Sequence, residues 1–183
     1  MSLFHTLADI VGRLDDAGIP HMVAGSVAST YHGEPRTTQD VDIIINPSPD
    51  ALQRFIDGLD RSRYYVGDAI GALEQRSFFN VIDGTTGWKV DLIVRRDRPF
   101  SRAEFERRLA ASIGGTQLHV ATAEDTILAK LEWAAESGSE RQRQDVVAMI
   151  RAIGTDLDVE HLRRWAPELG VGDALEDLLR TAG

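Results

Sequence analysis

The stretch that most constrains this 183-residue chain runs from residue 21 to residue 46. It is typical of a short strand, a tight Gly25-Ser26 turn, a short helix, a polar loop and a second strand. The second strand begins Asp40-x-Asp42, and residues two apart in a strand point to the same face, so the two carboxylates lie side by side. Like charges this close repel, and the pattern therefore predicts a neutralising partner at this strand end.

A divalent cation is one such partner, because Mg²⁺ prefers oxygen ligands, commonly one or two carboxylates together with substrate phosphates. A Gly-Ser turn that leads into a helix offers backbone N–H groups and a hydroxyl to phosphate oxygens. The carboxylate pair and the turn, on neighbouring strands, indicate metal-assisted phosphoryl or nucleotidyl transfer. The structural alternative is a solvated carboxylate pair, with Ser26 only capping the helix.

A third carboxylate, Asp91, lies in an otherwise apolar strand predicted over residues 88–94. Residues 78–82 predict the preceding strand, and the turn residues at 83–87 make the two strands a hairpin. A bare carboxylate inside a sheet is costly, so Asp91 needs a partner. Strand alternation puts Lys89 on the same face, and a salt bridge to Lys89 and a metal-binding or catalytic role for Asp91 are both open.

The remaining periodicity predicts helices on both sides of these strands. The predicted helices span residues 3–17, 51–59, 101–111, 123–136, 140–153, 159–169 and 173–179, and short strands are predicted at 64–66 and 116–120. Strands end near residue 121, so we expect a core at 1–121 and a helical subregion at 122–183, packed as a single compact unit. The expected fold class is α+β, with a central mixed β-sheet flanked by helices.

Composition narrows the functional classes. The chain contains no cysteine, which excludes disulfides, a thiolate nucleophile and cysteine-based zinc sites. The first 18 residues carry acidic side chains and helical periodicity, unlike a signal peptide, and no apolar run approaches the roughly 20 residues that span a membrane. We therefore expect a cytoplasmic location and no membrane partner.

A net charge of −9 argues against non-specific nucleic-acid coating. A local basic groove is still open, because arginines are dense between residues 95 and 108. Their alternative role is pairing with nearby carboxylates. The arginines of this run are Arg95, Arg96, Arg98, Arg102, Arg107 and Arg108.

These motifs resemble the nucleotidyltransferase superfamily, which has the polymerase-beta-like fold. The Gly-Ser turn, the Asp-x-Asp pair and the later Asp91 carry the resemblance, and residues 32–42 (His-Gly-x-x-Arg-x-Thr-x-Asp-Val-Asp) narrow it. This motif is similar to that of the branch that contains the abortive-infection type toxins of bacterial toxin–antitoxin pairs. Residues 123–131 and 144–146 resemble the same branch.

The resemblance implies an Mg²⁺- or Mn²⁺-dependent enzyme that moves a nucleoside monophosphate from a nucleoside triphosphate to an acceptor hydroxyl. It implies that Asp40, Asp42 and Asp91 bind two metal ions. It also implies triphosphate binding by Gly25 and Ser26. The acceptor can be RNA, a protein or a small molecule such as an antibiotic, and a cognate antitoxin is a possible partner. A non-catalytic nucleotide-binding or antitoxin-binding module with the same fold is the alternative.

Four further residues complete the expected nucleotide site. In the resembling branch a helical lysine and a downstream aspartate belong to the active site, and here these are Lys130 and Asp145. The alternative for Lys130 is a lysine that snorkels from an apolar stripe. The alternatives for Asp145 are a helix cap or a pair with Arg141 or Lys130. Arg36 either contacts the triphosphate or holds the polar loop through a carboxylate, and Thr38 braces that loop.

Overall fold

A computed structural model describes residues 3–33, 38 and 40–182 of the chain. Within these residues, no helix combines the length and apolar character needed to cross a membrane.

The described strands form one mixed sheet with the order β3-β4-β5-β2-β1-β7-β6. The strands are β1 (His21–Val23), β2 (Asp40–Ile45), β3 (Tyr64–Val66), β4 (Phe78–Asp83), β5 (Lys89–Val94), β6 (Leu109–Ile113) and β7 (Thr116–Val120). The β2–β5 and β1–β7 pairs are parallel, and the other neighbours are antiparallel. The two strands predicted to carry the carboxylates, β2 and β5, are therefore direct neighbours in the middle of the sheet.

Helices surround this sheet and continue beyond its last strand. They are α1 (Leu3–Asp16), α2 (Gly25–His32), α3 (Pro49–Asp57), α4 (Ala69–Gln75), α5 (Pro99–Glu106), α6 (Ala123–Ser137), α7 (Glu140–Ile153), α8 (Val159–Trp165) and α9 (Gly172–Ala182). Gly138 ends α6 in the left-handed conformation, and the Thr122 side chain caps its start by accepting from the Asp125 backbone N–H. The mixed sheet and the helical subregion confirm the predicted fold class.

The first apolar cluster includes one face of β2, β4 and β5. Every second residue of β2, β4 and β5 is buried, as strand alternation requires. These residues pack against the apolar stripes of α1, α3 and α4. A second cluster joins α6, α7, α8 and α9 with Phe100 of α5.

The segment after Pro99 differs from its prediction. The helix α5 ends at Glu106, not at Ala111, and β6 follows as a strand that the sequence did not predict. Leu-Ala-Ala-Ser-Ile has little β-branched content, and its alanines favour a helix locally. Pairing with β7 through the Gly114-Gly115 turn, where both glycines have positive φ, overrides this local preference.

Two smaller differences concern helices. Residues 69–75, which are not among the predicted helices, form α4. The helix predicted over 159–169 ends at Trp165.

Candidate functional site

The site is built on the parallel β2–β5 pair. Asp42 is registered with Asp91, and Asp40 is registered with Lys89. Neighbouring strands lie about 4.8 Å apart, so Asp42 and Asp91 start from adjacent positions on the same face of the sheet. This face is the one opposite the first apolar cluster, because Val41 and Val90, between these residues, are buried in that cluster.

Lys89 holds the carboxylates of the two strands together. Its Nζ donates to Asp91 Oδ2 at 2.7 Å and lies 3.8 Å from Asp40 Oδ2. Asn80 on β4 donates from Nδ2 to Asp91 Oδ1 at 3.3 Å. The salt bridge that the sequence left open is therefore present.

Gly25 allows the start of α2 to approach Asp42 closely. The glycine has a φ of +55°, and a Cβ built on it would stand 1.9 Å from Asp42 Oδ2. The Ala24 backbone N–H donates to the Asp42 carbonyl at 2.9 Å and fixes this approach. Any side chain at position 25 would displace the carboxylate, which explains the need for glycine.

Ser26 is buried in the first turn of α2. The N-cap of that helix is Ala24, so Ser26 is not the capping residue that the sequence offered as an alternative. His32 at the other end of α2 is tied through Nε2 to the Ala121 carbonyl at 2.7 Å. The helix that begins at the carboxylates is thus anchored to the end of β7.

The electrostatics of the site disfavour the charge on Asp42. Burial is the largest cause, and the neighbouring charges of Asp40 and Asp91 add to it, raising the pKa of Asp42 to about 6. Lys130 and Lys89 oppose this shift. The site therefore holds a carboxylate that a further cation would stabilise.

Lys130 lies on α6, close enough to Asp42 to influence its pKa. Its side chain is only 4% exposed, and Nζ donates to Asp145 Oδ2 at 2.7 Å and to Gln142 Oε1 at 2.9 Å. Both acceptors are on α7. The pairing of Asp145 with Lys130, one of its predicted alternatives, is present.

The polar loop before β2 is described only in part. The Thr38 hydroxyl donates to the Asp40 carbonyl at 2.9 Å and contacts Asp40 Oδ1 at 3.2 Å, which orients that carboxylate. Arg36, predicted either to contact triphosphate or to hold the loop, lies outside the described residues.

The donor set of the site fits a divalent cation. The carboxylates of Asp40, Asp42, Asp91 and Asp145 outnumber the ammonium groups of Lys89 and Lys130 by two. Hard oxygen donors with an excess of two negative charges suit Mg²⁺ or Mn²⁺. Among the described residues, no three His, Asp or Glu side chains are close enough to hold a metal ion in the present arrangement.

Sequence reasoning missed two members of the site, Asn80 and Gln142. The position of Asn80 could have been predicted, because the register of the hairpin places it opposite Asp91. Gln142 reaches Lys130 from another helix, and no local pattern in the sequence encodes that contact.

The arginine run beyond β5 is largely neutralised within the molecule. Arg98 binds both oxygens of Glu132, at 2.5 and 2.6 Å, and Arg107 contacts Asp125 Oδ2 at 3.2 Å. The other ion pairs are Arg96 with Glu132 and Glu136, Arg102 with Asp97 and Arg107 with Glu124. Most of this run therefore follows the carboxylate-pairing alternative.

No family model matches the sequence, and a search of curated proteins found no match. Solved structures do match the fold. The chain is similar to an antigenic nucleotidyltransferase-like protein from Paracoccidioides brasiliensis, with a TM-score of 0.58, 16% identity, and coverage of 96% of this chain and 91% of that chain.

Two further solved structures of similar fold contain a bound small molecule. One is ANT(2'')-Ia in complex with adenylyl-2''-tobramycin, with a TM-score of 0.60, 14% identity, and coverage of 90% of this chain and 96% of that chain. The other is the lincosamide antibiotic adenylyltransferase LnuA bound to lincomycin, with a TM-score of 0.52, 13% identity, and coverage of 78% of this chain and 93% of that chain.

Proposed function

We propose that this chain, whose fold is that of the nucleotidyltransferases, is a metal-dependent nucleotidyltransferase that acts on a small hydroxyl compound. The observation that carries the proposal is the register of Asp42 with Asp91 on neighbouring strands, with Gly25 directly against Asp42. This combination supplies carboxylates and a helix start at one point of the sheet, as transfer from a nucleoside triphosphate requires.

In this proposal each group of the site has a separate role. Asp40, Asp42 and Asp91 hold Mg²⁺ or Mn²⁺, and a cation there would neutralise charge on the phosphate oxygens. The α2 N-terminus, with Gly25 and Ser26, binds the triphosphate. Lys130 adds positive charge on the α6 side, with Asp145 orienting its ammonium group.

The chemical step is a displacement at the α-phosphorus. Asp91 accepts the proton of the acceptor hydroxyl as the oxygen forms a bond to the α-phosphorus. The bond from the α-phosphorus to the bridging oxygen breaks, and pyrophosphate leaves with that electron pair. The products are a nucleoside monophosphate ester of the acceptor and pyrophosphate.

A small acceptor is favoured over RNA by the charge distribution. Binding of a polynucleotide backbone needs a run of available basic side chains. Here Arg96, Arg98, Arg102 and Arg107 are each engaged with carboxylates. Two proteins of similar fold also have antibiotic acceptors or products in their crystals. A toxin role, an RNA acceptor and an antitoxin partner remain predictions of the sequence resemblance.

The proposal is tested with α-labelled nucleoside triphosphates and Mg²⁺ in a cell extract divided into metabolite, RNA and protein fractions. The variants are Asp40→Asn and Asp91→Asn, and Asp16→Asn, an exposed carboxylate on α1, is the matched control. We expect label in the metabolite fraction with the wild type and the control, and a loss of about a thousand-fold in each site variant.

Three outcomes would contradict the proposal. Full activity in both site variants would exclude the carboxylate mechanism. Release of free nucleoside monophosphate without an acceptor would indicate a hydrolase. Nucleotide binding without turnover in every fraction would indicate a binding module.

A further inference from the structure

The face of the sheet that carries Asp91 continues to the β3 edge, where two aromatic side chains are exposed. Tyr65 on β3 is 66% exposed and Phe78 on β4 is 58% exposed, whereas Ile82 and Ile93 are half-buried. The helices α1, α3 and α4 pack on the opposite face. Tyr65 is registered with Ile82, so the two exposed aromatic side chains flank Asn80 along β4. Exposed aromatic side chains beside a polar site are a feature of ligand-binding sites.

Strand register arranges this face in rows. Asp42, Asp91 and Asn80 form one row across β2, β5 and β4. The next row on the same face is apolar and consists of Ile44, Ile93 and Phe78. An acceptor whose hydroxyl reaches Asp91 would therefore rest on an apolar surface.

Two guanidinium groups lie beyond the apolar row. Arg95 continues the alternation of Asp91 and Ile93, and its Nε donates to the neutral Asn46 Oδ1 at 3.3 Å. Arg76 donates from NH1 to the Arg95 carbonyl at 3.0 Å. Among the ion pairs formed within residues 3–33, 38 and 40–182, neither arginine has a carboxylate partner, in contrast to most of the neighbouring run.

Arg76 is also held in an unusual conformation. Its φ of +46° makes it the one residue other than glycine with a positive φ in the described part of the chain. Such a conformation is costly for a side chain of this size, although it also ends α4. It directs the chain from α4 into β4 next to the end of β5, where Val94 donates to the Ser77 carbonyl.

We infer that this face, defined by Asn80, Phe78, Ile93, Arg76 and Arg95, binds the acceptor, and that the acceptor is a small hydroxyl compound carrying an apolar ring and an anionic group. The inference rests on the proposed function. The hydroxyl lies at Asp91, the ring covers Ile93 and Phe78, and the anionic group pairs with the two guanidinium groups. From Asp91 to Arg95 is four residues along a strand, or about 13 Å, which sets the length of the compound.

The same features argue against a polymeric acceptor. A nucleic acid would extend past the two guanidinium groups and would need further available cations. Of the basic residues next along the chain, Arg96, Arg98, Arg102 and Arg107 are engaged with carboxylates. The two guanidinium groups lie at a fixed distance from Asp91, the general base of the proposed reaction. This arrangement matches a single anionic group on the acceptor.

The probe for this surface is phenyl phosphate, which joins a ring to an anionic group but has no hydroxyl to react. Mg²⁺ and α,β-methylene ATP are added first, so that the triphosphate side is filled. Binding is followed through the isoleucine methyl resonances, with Ile93 reporting on the surface and Ile10, buried in the core, as an internal reference. Inorganic phosphate and benzyl alcohol test the anionic group and the ring separately.

We expect phenyl phosphate to shift the Ile93 methyl and to bind more tightly than either separate probe. The Kd should rise about ten-fold or more in Arg76→Gln/Arg95→Gln and in Phe78→Ala. The matched controls Arg151→Gln and Leu109→Ala change exposed residues elsewhere and should leave the Kd unchanged. Because Phe78, Arg76 and the control residues are exposed, these variants should keep the native fold, which circular dichroism checks.

Absence of an Ile93 shift, or an unchanged Kd in both surface variants, would overturn the inference. So would label that enters RNA or protein instead of metabolites. The proposed function fails in a different way, since it requires transfer of label. If phenyl phosphate binds but no label is transferred in the extract assay, the proposed reaction is excluded. If label is transferred but phenyl phosphate does not bind, only this acceptor surface is excluded.

Discussion

Asp42 is a carboxylate whose surroundings oppose its own charge. It is half-buried, and it lies between Asp40 on its own strand and Asp91 on the next. These causes raise its pKa from 3.8 to about 6. A group of this kind lowers the stability of the free protein and is typical of sites where charge is needed for function.

The first prediction at this scale concerns Asp42→Asn in the presence of EDTA. Since the pKa is higher in the folded state, wild-type stability falls as pH rises from about 4 to about 6, and the penalty is complete above that window. Two pKa units correspond to about 3 kcal/mol. We therefore expect Asp42→Asn to raise the free energy of unfolding by about 1–3 kcal/mol at about pH 8. At about pH 3.5 the substitution should leave the free energy of unfolding unchanged.

Urea denaturation at the two pH values measures this difference, with Asp16→Asn as the exposed control. Added Mg²⁺ should stabilise the wild type and have little effect on the variant, because the cation removes the same repulsion. A gain in stability that is equal at both pH values would mean that charge is not its cause.

The residue-scale features differ in how far the sequence could predict them. The shared face of Asp40 and Asp42 follows from the strand period alone, and the structure has it. The near contact of Gly25 with Asp42 and the pairing of Arg107 with Asp125 depend on how separate elements pack. No local pattern determines such distances, so these contacts were not predictable.

At the scale of elements, a buried carboxylate at the end of β4 connects the β4–β5 hairpin to the segment before β3 and to α1. Asp83, the last residue of β4, accepts hydrogen bonds from Arg63 NH2 at 2.8 Å and from the backbone N–H and hydroxyl of Thr85 at 2.9 and 2.6 Å. The Thr6 hydroxyl of α1 lies 3.4 Å away. The Arg63 guanidinium and the Thr85 donors hold the pKa of Asp83 well below its usual range.

We predict that Asp83→Asn lowers the free energy of unfolding by about 2–3 kcal/mol at neutral pH, because Arg63 loses its charged partner. A carboxylate with a lowered pKa stabilises the fold above its unfolded pKa and loses that contribution as pH falls. The difference from wild type should therefore shrink below about pH 4. Urea titrations across pH test this, with Asp57→Asn, an exposed change on α3, as control.

The hairpin and β6 show what an element's own sequence can specify. Asp83-Gly84-Thr85-Thr86-Gly87 is a strong turn signal between two alternating runs, and the hairpin was predicted correctly. β6 has no such local pattern, and it is a strand only because β7 offers its free edge after the Gly114-Gly115 turn. Strands specified by their partner are the elements that local reasoning misses.

At the scale of the whole molecule, a polar layer connects the two apolar clusters. Asp125 is fully buried at the start of α6 and contacts His161 Nε2 at 2.7 Å, the Thr122 hydroxyl at 2.8 Å and Arg107 Nε at 3.2 Å. Glu104 is buried nearby, and burial together with the Asp125 charge raises its pKa to about 8. These groups come from α5, α6 and α8. Because α5 contributes Phe105 to the first cluster and Phe100 to the second, the layer lies where the two clusters meet.

This layer leads to a prediction about cooperativity, which concerns the expected division at residue 121. A buried carboxylate whose partners include Arg107, outside the helical subregion, and His161, inside it, is costly to expose stepwise, because each lost partner leaves a desolvated charge. We therefore expect the sheet and the helical subregion to unfold in a single transition. Trp165, buried against Phe100 with ring centroids 5.7 Å apart, reports on the second cluster.

The experiment uses Trp88→Phe/Trp133→Phe, so that Trp165 alone fluoresces, and compares its urea transition with that of far-ultraviolet circular dichroism. Coincident curves are expected for this protein. Asp125→Ala should separate them, with Trp165 responding at lower urea, because the helical subregion loses its polar connection to Arg107 at the end of α5. Separate transitions before that change would show that the two clusters unfold independently.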